Sequence, residues 1–126
     1  WLIDQWYGGT EGRREHHSAK QDTARPAIRG SVVREFTSRQ KLVPGSSRAL
    51  GWDTPTEQSS AGHLLSDQSF GHTGFTGTSL WIDPERRLAI VLLSNRVNPT
   101  RNNPRWAPVR SAVADLVITT LFKDAR

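Results

Sequence analysis

Apolar positions gather in the second half of this chain of 126 residues. Leu88 to Leu93 (LAIVLL) is apolar throughout, the pattern of a central strand covered on both faces. Just ahead of it, Thr78, Leu80 and Ile82 alternate with Ser79 and Trp81, and a period of two predicts a strand. Asp83-Pro84-Glu85-Arg86 joins the two as a turn, with proline at the second position. Phe70 to Thr73 begins a third strand, broken by Gly74 and Gly77. Val109, Ala112, Val113, Leu116, Val117, Thr120 and Leu121 recur at helical spacing and predict a terminal helix lying on the sheet by that face. Asn103 with Pro104 offers it one start, and Pro108 leaves a later start open.

The first half is thinner in pattern. Trp1 to Tyr7 (WLIDQWY) reads as the end of a helix stopped by Gly8-Gly9. Residues 10–30 have no period and almost no apolar content, so they read as loop or disorder. Ser31 to Gln40 recovers a short helix, with Ser31 as cap and Val32 and Phe36 on one face. Arg48 to Thr54 (RALGWDT) reads as a strand, and Thr56 to Asp67 as a polar loop around Leu64-Leu65. The elements add up to an α/β chain: a portion of antiparallel sheet with a C-terminal helix packed on it.

Composition removes several kinds of chemistry. With no cysteine there is no disulfide, no thiolate metal site and no Cys nucleophile. His16-His17, His63 and His72 lack carboxylates at ligand spacing, so no metal site is expected. The net charge of +5 is scattered, and one basic loop around Arg13-Arg14 and Trp6 has no interleaved aromatic platform. That weighs against nucleic acid as a partner. No apolar run approaches the roughly 18 residues that would span a bilayer. The chain starts at Trp1 with no Met, which fits the later part of a longer product.

The most specific stretch is Ser69 to Pro84, SFGHTGFTGTSLWIDP. His-Thr-Gly, a second glycine at Gly77 and an alternating strand ending at Asp83-Pro84 resemble the third active-site element of the penicillin-binding protein and serine β-lactamase superfamily. The likeness is to its class-C-like and DD-peptidase branch, where the triplet is usually Lys-Thr-Gly. It covers roughly residues 31–122 and is most specific over about 47–102. Residues 1–30 match poorly, while 31–126 read as the C-terminal segment of a β-lactamase-like domain.

The resemblance implies a serine hydrolase acting through an acyl-enzyme on β-lactams, D-amino-acid peptides or esters, without a cofactor. In that chemistry the N–H of Phe75 is one oxyanion donor and Thr73 bonds the substrate's carboxylate or amide. Gly74 keeps the strand edge accessible, and His72 stands in for the lysine as the positive group beside base and substrate. A bacterial envelope or secreted setting is implied as well. The nucleophile is not convincingly present. Ser38-Arg39-Gln40-Lys41 satisfies S-x-x-K, but at the polar end of a short surface helix it is a poor candidate. The expected partners are therefore a small-molecule or peptide acyl substrate and a missing N-terminal part of the same fold. The competing reading is a non-catalytic basic binding module in which His-Thr-Gly is incidental.

Overall fold

Three short strands form one antiparallel sheet in the order β1-β2-β3: β1 (Phe70–Thr73), β2 (Ser79–Asp83) and β3 (Leu88–Leu92). The structure, a computed structural model, describes residues 28–122; the helix end expected at 1–7 lies outside the described residues. Phe70 pairs with Ile82 and Thr73 with Ser79 across β1–β2, and Ser79 with Leu92 and Asp83 with Leu88 across β2–β3. Among the described residues two helices accompany the sheet, α1 (Gly30–Thr37) and α2 (Trp106–Leu121).

The core lies between α2 and the sheet. Trp81 of β2 and Ile90 of β3 meet Ala114 and Ile118 of α2, with Ala61 and Leu65 closing the side. Trp81 is almost wholly buried, and its indole N–H donates to Ser60 Oγ at 3.2 Å, so its one polar atom is satisfied. The loop carrying Ala61 and Leu65 is fastened to the helix by Asp115. One carboxylate oxygen of Asp115 accepts from the backbone N–H groups of His63 (2.7 Å) and Leu64 (3.1 Å).

The helix uses a different face from the one its spacing predicts. Ala114 and Ile118 are buried, whereas Leu116 and Leu121 are 64% and 61% exposed. WAPVRSAVADLVITTL is apolar nearly all round, so no single stripe stood out for periodicity to select. Its first residue is Trp106 rather than Pro104. Asn103 Oδ1 accepts from Arg105 N–H at 3.1 Å, ahead of the helix, and Pro108 sits within the first turn, where no N–H is needed.

Other expectations shift in the same way. β3 alternates instead of being covered on both faces: Ile90 is buried, while Val91 is 61% exposed at an edge that no described strand pairs. In α1 the buried residues are Val33 and Thr37, one position on from Val32 and Phe36, and no side chain caps its first turn. Arg48 to Thr54 is not a strand. The chain turns back at Gly51 (φ +84°), so that Arg48 bridges Asp53 and Asp53 in turn bridges Gly71.

At the far end of β2, Asp83 is fully buried and still charged. Ser66 donates to it through its N–H (3.1 Å) and hydroxyl (2.8 Å), and Arg86 through its N–H (3.2 Å) and guanidinium (2.7 Å). Burial pushes the carboxyl up, yet these donors together outweigh it and hold Asp83 below its ordinary value.

Candidate active-site strand

β1 is one of the two outer strands of the described sheet, and its outer edge is only partly occupied. Asp53 exchanges both backbone hydrogen bonds with Gly71, at 2.8 and 2.9 Å, so the polar groups of Gly71 face away from β2. Two-residue alternation turns those of Thr73 the same way, just past the end of that bridge. His72 and Thr73 are both exposed there. The imidazole of His72 spans two neighbours: Nδ1 lies 2.9 Å from its own strand's Thr73 carbonyl, and Nε2 lies 3.3 Å from Nη1 of Arg48.

The turn that follows is held almost entirely by its carbonyls. Arg110 of α2 donates to Gly74 O (2.7 Å), Gly77 O (3.1 Å) and Thr78 O (3.3 Å), and Trp106 Nε1 donates to Gly77 O (3.2 Å). Arg96 donates to Phe75 O through Nε and to Thr76 O through its backbone N–H, each at 2.7 Å. Every carbonyl from Gly74 to Thr78 is thus engaged on the side of the helix and of the segment after β3. In a trans peptide the N–H points opposite to the C=O. With the Gly74 carbonyl drawn towards Arg110, the Phe75 N–H is turned the other way, and among the described residues nothing accepts from it. Burial, and then the charge of Arg96, lower the Arg110 guanidinium from its ordinary value.

The glycines are set by this packing. Gly77 has φ +111°, and an added Cβ would meet Ser94 Oγ, Trp106 Nε1 and Arg96 Cβ. A Cβ on Gly74 would collide with Thr78 Oγ1 inside the turn. Phe75 is 60% exposed, with the guanidinium carbons of Arg96 and Arg101 each 5.1 Å from its ring centre.

The structure brings His72, Thr73, Gly74 and Phe75 into one continuous strand end and turn. Ser38 is not usable as a nucleophile as it stands: it ends α1, and its hydroxyl donates to Arg34 O at 2.6 Å. Among the described residues no group of three His, Cys, Asp or Glu could hold a metal ion, and no helix is long and apolar enough to cross a membrane. Sequence reasoning missed Arg48, Arg96, Arg101, Trp106 and Arg110. Only Arg110 left a trace, as a charge inside an apolar helix, since the others contact the strand from segments remote in sequence.

Among the described residues, a three-stranded antiparallel sheet with the last helix against it makes up the fold. The crystal structure of a β-lactamase from Mycobacterium bovis shares that fold, with a TM-score of 0.59 and 22% identity over 75% of this chain and 38% of that one. The β-lactamase family profile matches residues 5–115, and the chain belongs to that family. A protein of Escherichia coli O157:H7, provisionally named a D-alanyl-D-alanine carboxypeptidase, is 36% identical over 92 residues, 71% of this chain and 21% of its own length. One of the same designation from Salmonella gallinarum is 39% identical over 80 residues, 61% of this chain and 18% of its own length. The chain therefore spans about a fifth of the length of these relatives.

Proposed function

We propose that this chain is the C-terminal part of a serine hydrolase of the DD-peptidase, β-lactamase or esterase kind. It contributes the strand on which an acyl substrate is gripped. The extended substrate pairs with the β1 edge beyond Gly71 as an added strand would. Thr73 bonds its carboxylate or amide, and the Phe75 N–H stabilises the oxyanion that develops when a serine attacks. The observation that carries this reading is the Phe75 amide: its N–H bonds no described residue, while all five carbonyls of the turn are tied back.

The nucleophile belongs to a part of the fold that precedes this chain. Two observations support that division. The matched stretch covers only about a fifth of each relative, and the chain leaves apolar side chains uncovered at Val91, Leu93, Leu116 and Leu121. Those surfaces suit the remainder of the domain. Benzylpenicillin or an activated ester, incubated with the full-length enzyme and followed by digestion and mass spectrometry, locates the acylated residue. The expected adduct is a serine upstream of Trp1. A stoichiometric adduct on Ser38 overturns this division of labour.

A further inference from the structure

The two contacts of His72 fix where its proton sits. A guanidinium has donors and no acceptor, and it stays charged in proteins. The nitrogen facing Arg48, Nε2, must therefore present its lone pair across the 3.3 Å contact. A carbonyl oxygen only accepts, so Nδ1, 2.9 Å from Thr73 O, must carry the hydrogen. Both contacts demand the same tautomer. An imidazolium would set an N–H of Nε2 against the N–H of Arg48.

We propose that Arg48, not His72, is the cation of this strand edge, and that it binds the anionic group of the substrate. His72 is a neutral Nδ1–H imidazole that joins Arg48 to the Thr73 carbonyl. The lysine of the usual triplet has thus been divided between two residues: a ring in the strand and a fixed charge reaching it from a neighbouring loop. That loop is stitched in place by backbone. Arg48 bridges Asp53, Asp53 bridges Gly71, and Ser47 Oγ donates to Asp53 Oδ1 at 2.5 Å. Arg48 itself is exposed, and among the described residues no carboxylate pairs with it. Its charge is free for a ligand beside Thr73. Arg96 and Arg101, over the Phe75 ring, add positive charge near the same strand end. The favoured substrate accordingly bears an anionic group, such as a carboxylate, near the scissile bond.

The identity of the anion rests on the acyl-enzyme reading; the tautomer does not, and two arms separate them. In the first, the chain labelled with ¹⁵N-histidine is examined by long-range ¹H–¹⁵N correlation. His72 should show an unprotonated Nε2 and a protonated Nδ1, and Arg48→Ala should return it to the tautomer mixture of a free imidazole. A protonated Nε2 in the unmodified chain, or no response to Arg48→Ala, overturns the assignment. Arg48 contributes to the fold through its backbone, so the substitution leaves the loop's bridges intact. In the second arm, full-length enzyme hydrolyses 3-carboxyphenyl acetate and phenyl acetate. Arg48→Gln should lower the ratio of their kcat/KM values by roughly ten- to a hundredfold. His72→Gln should shift that ratio far less. An unchanged ratio in Arg48→Gln overturns the anion-binding role, whereas failure of the unmodified enzyme to hydrolyse either ester counts against the hydrolase reading instead.

Discussion

The two turns at the ends of β2 are built with opposite polarity. At the β2–β3 end a buried carboxylate, Asp83, is surrounded by donors from Ser66 and Arg86, and no lone pair is left for solvent. At the β1–β2 end the carbonyls of Gly74 to Thr78 face donors from Arg110, Trp106 and Arg96, and the Phe75 N–H is left over. Both turns are tightly held, so rigidity does not distinguish them. The difference is in what remains unsatisfied. A closed set of hydrogen bonds holds a hairpin together and does nothing else. A set that fixes one partner of each peptide while exposing the other presents a donor at a defined place, with its orientation settled before any ligand arrives.

The comparison is sharpened by disturbing each turn. Asp83→Asn should have the larger effect on stability, because the amide brings an NH₂ group into a site lined by donors. A cost of about 2–4 kcal/mol is expected, read as a lowered midpoint in urea. Its pH dependence has a definite sign. The folded carboxyl lies below its ordinary value, so it adds stability above an unfolded carboxyl's pKa of about 3.9 and loses it as pH falls through the folded value. The native chain should weaken below about pH 4, and Asp83→Asn should lack that part of the loss. If the variant weakens on acidification as steeply as the native chain, Asp83 is not the charged group described.

Arg110→Ala should have a smaller effect on stability, about 1–2 kcal/mol, since its partners are half-buried carbonyls that water can reach. Its effect on the neighbouring turn should be specific. Amide hydrogen exchange should accelerate at Gly74 and Gly77, whose N–H groups close the turn, and stay as it was at Ser66 and Arg86. Equal acceleration at both ends of β2 would mean that the helix supports the sheet as a whole and has no particular hold on this turn.

Much of this was legible in the sequence, for reasons that can be named. The runs Phe70 to Thr73 and Ser79 to Asp83, set off by Gly74 and Gly77 and by the Asp83-Pro84 turn, mark β1 and β2 at their observed positions, although burial alternates along neither strand. The same reasoning failed for α2, whose apolar residues surround the helix and so do not say which face is covered. It failed for Arg48 to Thr54 as well: Leu50 and Trp52 look strand-like, while Gly51 reverses the chain between them. The triplet itself could be read directly, but what holds it could not. Arg48, Arg96 and Arg110 reach the strand from three separate segments, and only the fold makes them neighbours. His72 illustrates the limit. Its residue type could be read from the chain, but its two neighbours, Arg48 and the Thr73 carbonyl, could not.

The central claim is that the Phe75 backbone N–H, held outward by the tethered turn, stabilises the oxyanion. One pair of variants in the full-length enzyme tests it. Phe75→Pro removes that hydrogen, whereas Phe75→Ala keeps it and removes only the ring. The measurement is the acylation rate constant with an activated ester, compared between the two variants at matched folded fraction. Phe75→Ala should acylate at a rate near that of the native enzyme, and Phe75→Pro on the order of a hundred- to a thousandfold more slowly. Equal rates in the two variants would contradict the claim, and the turn would then be a support for the hairpin and nothing more.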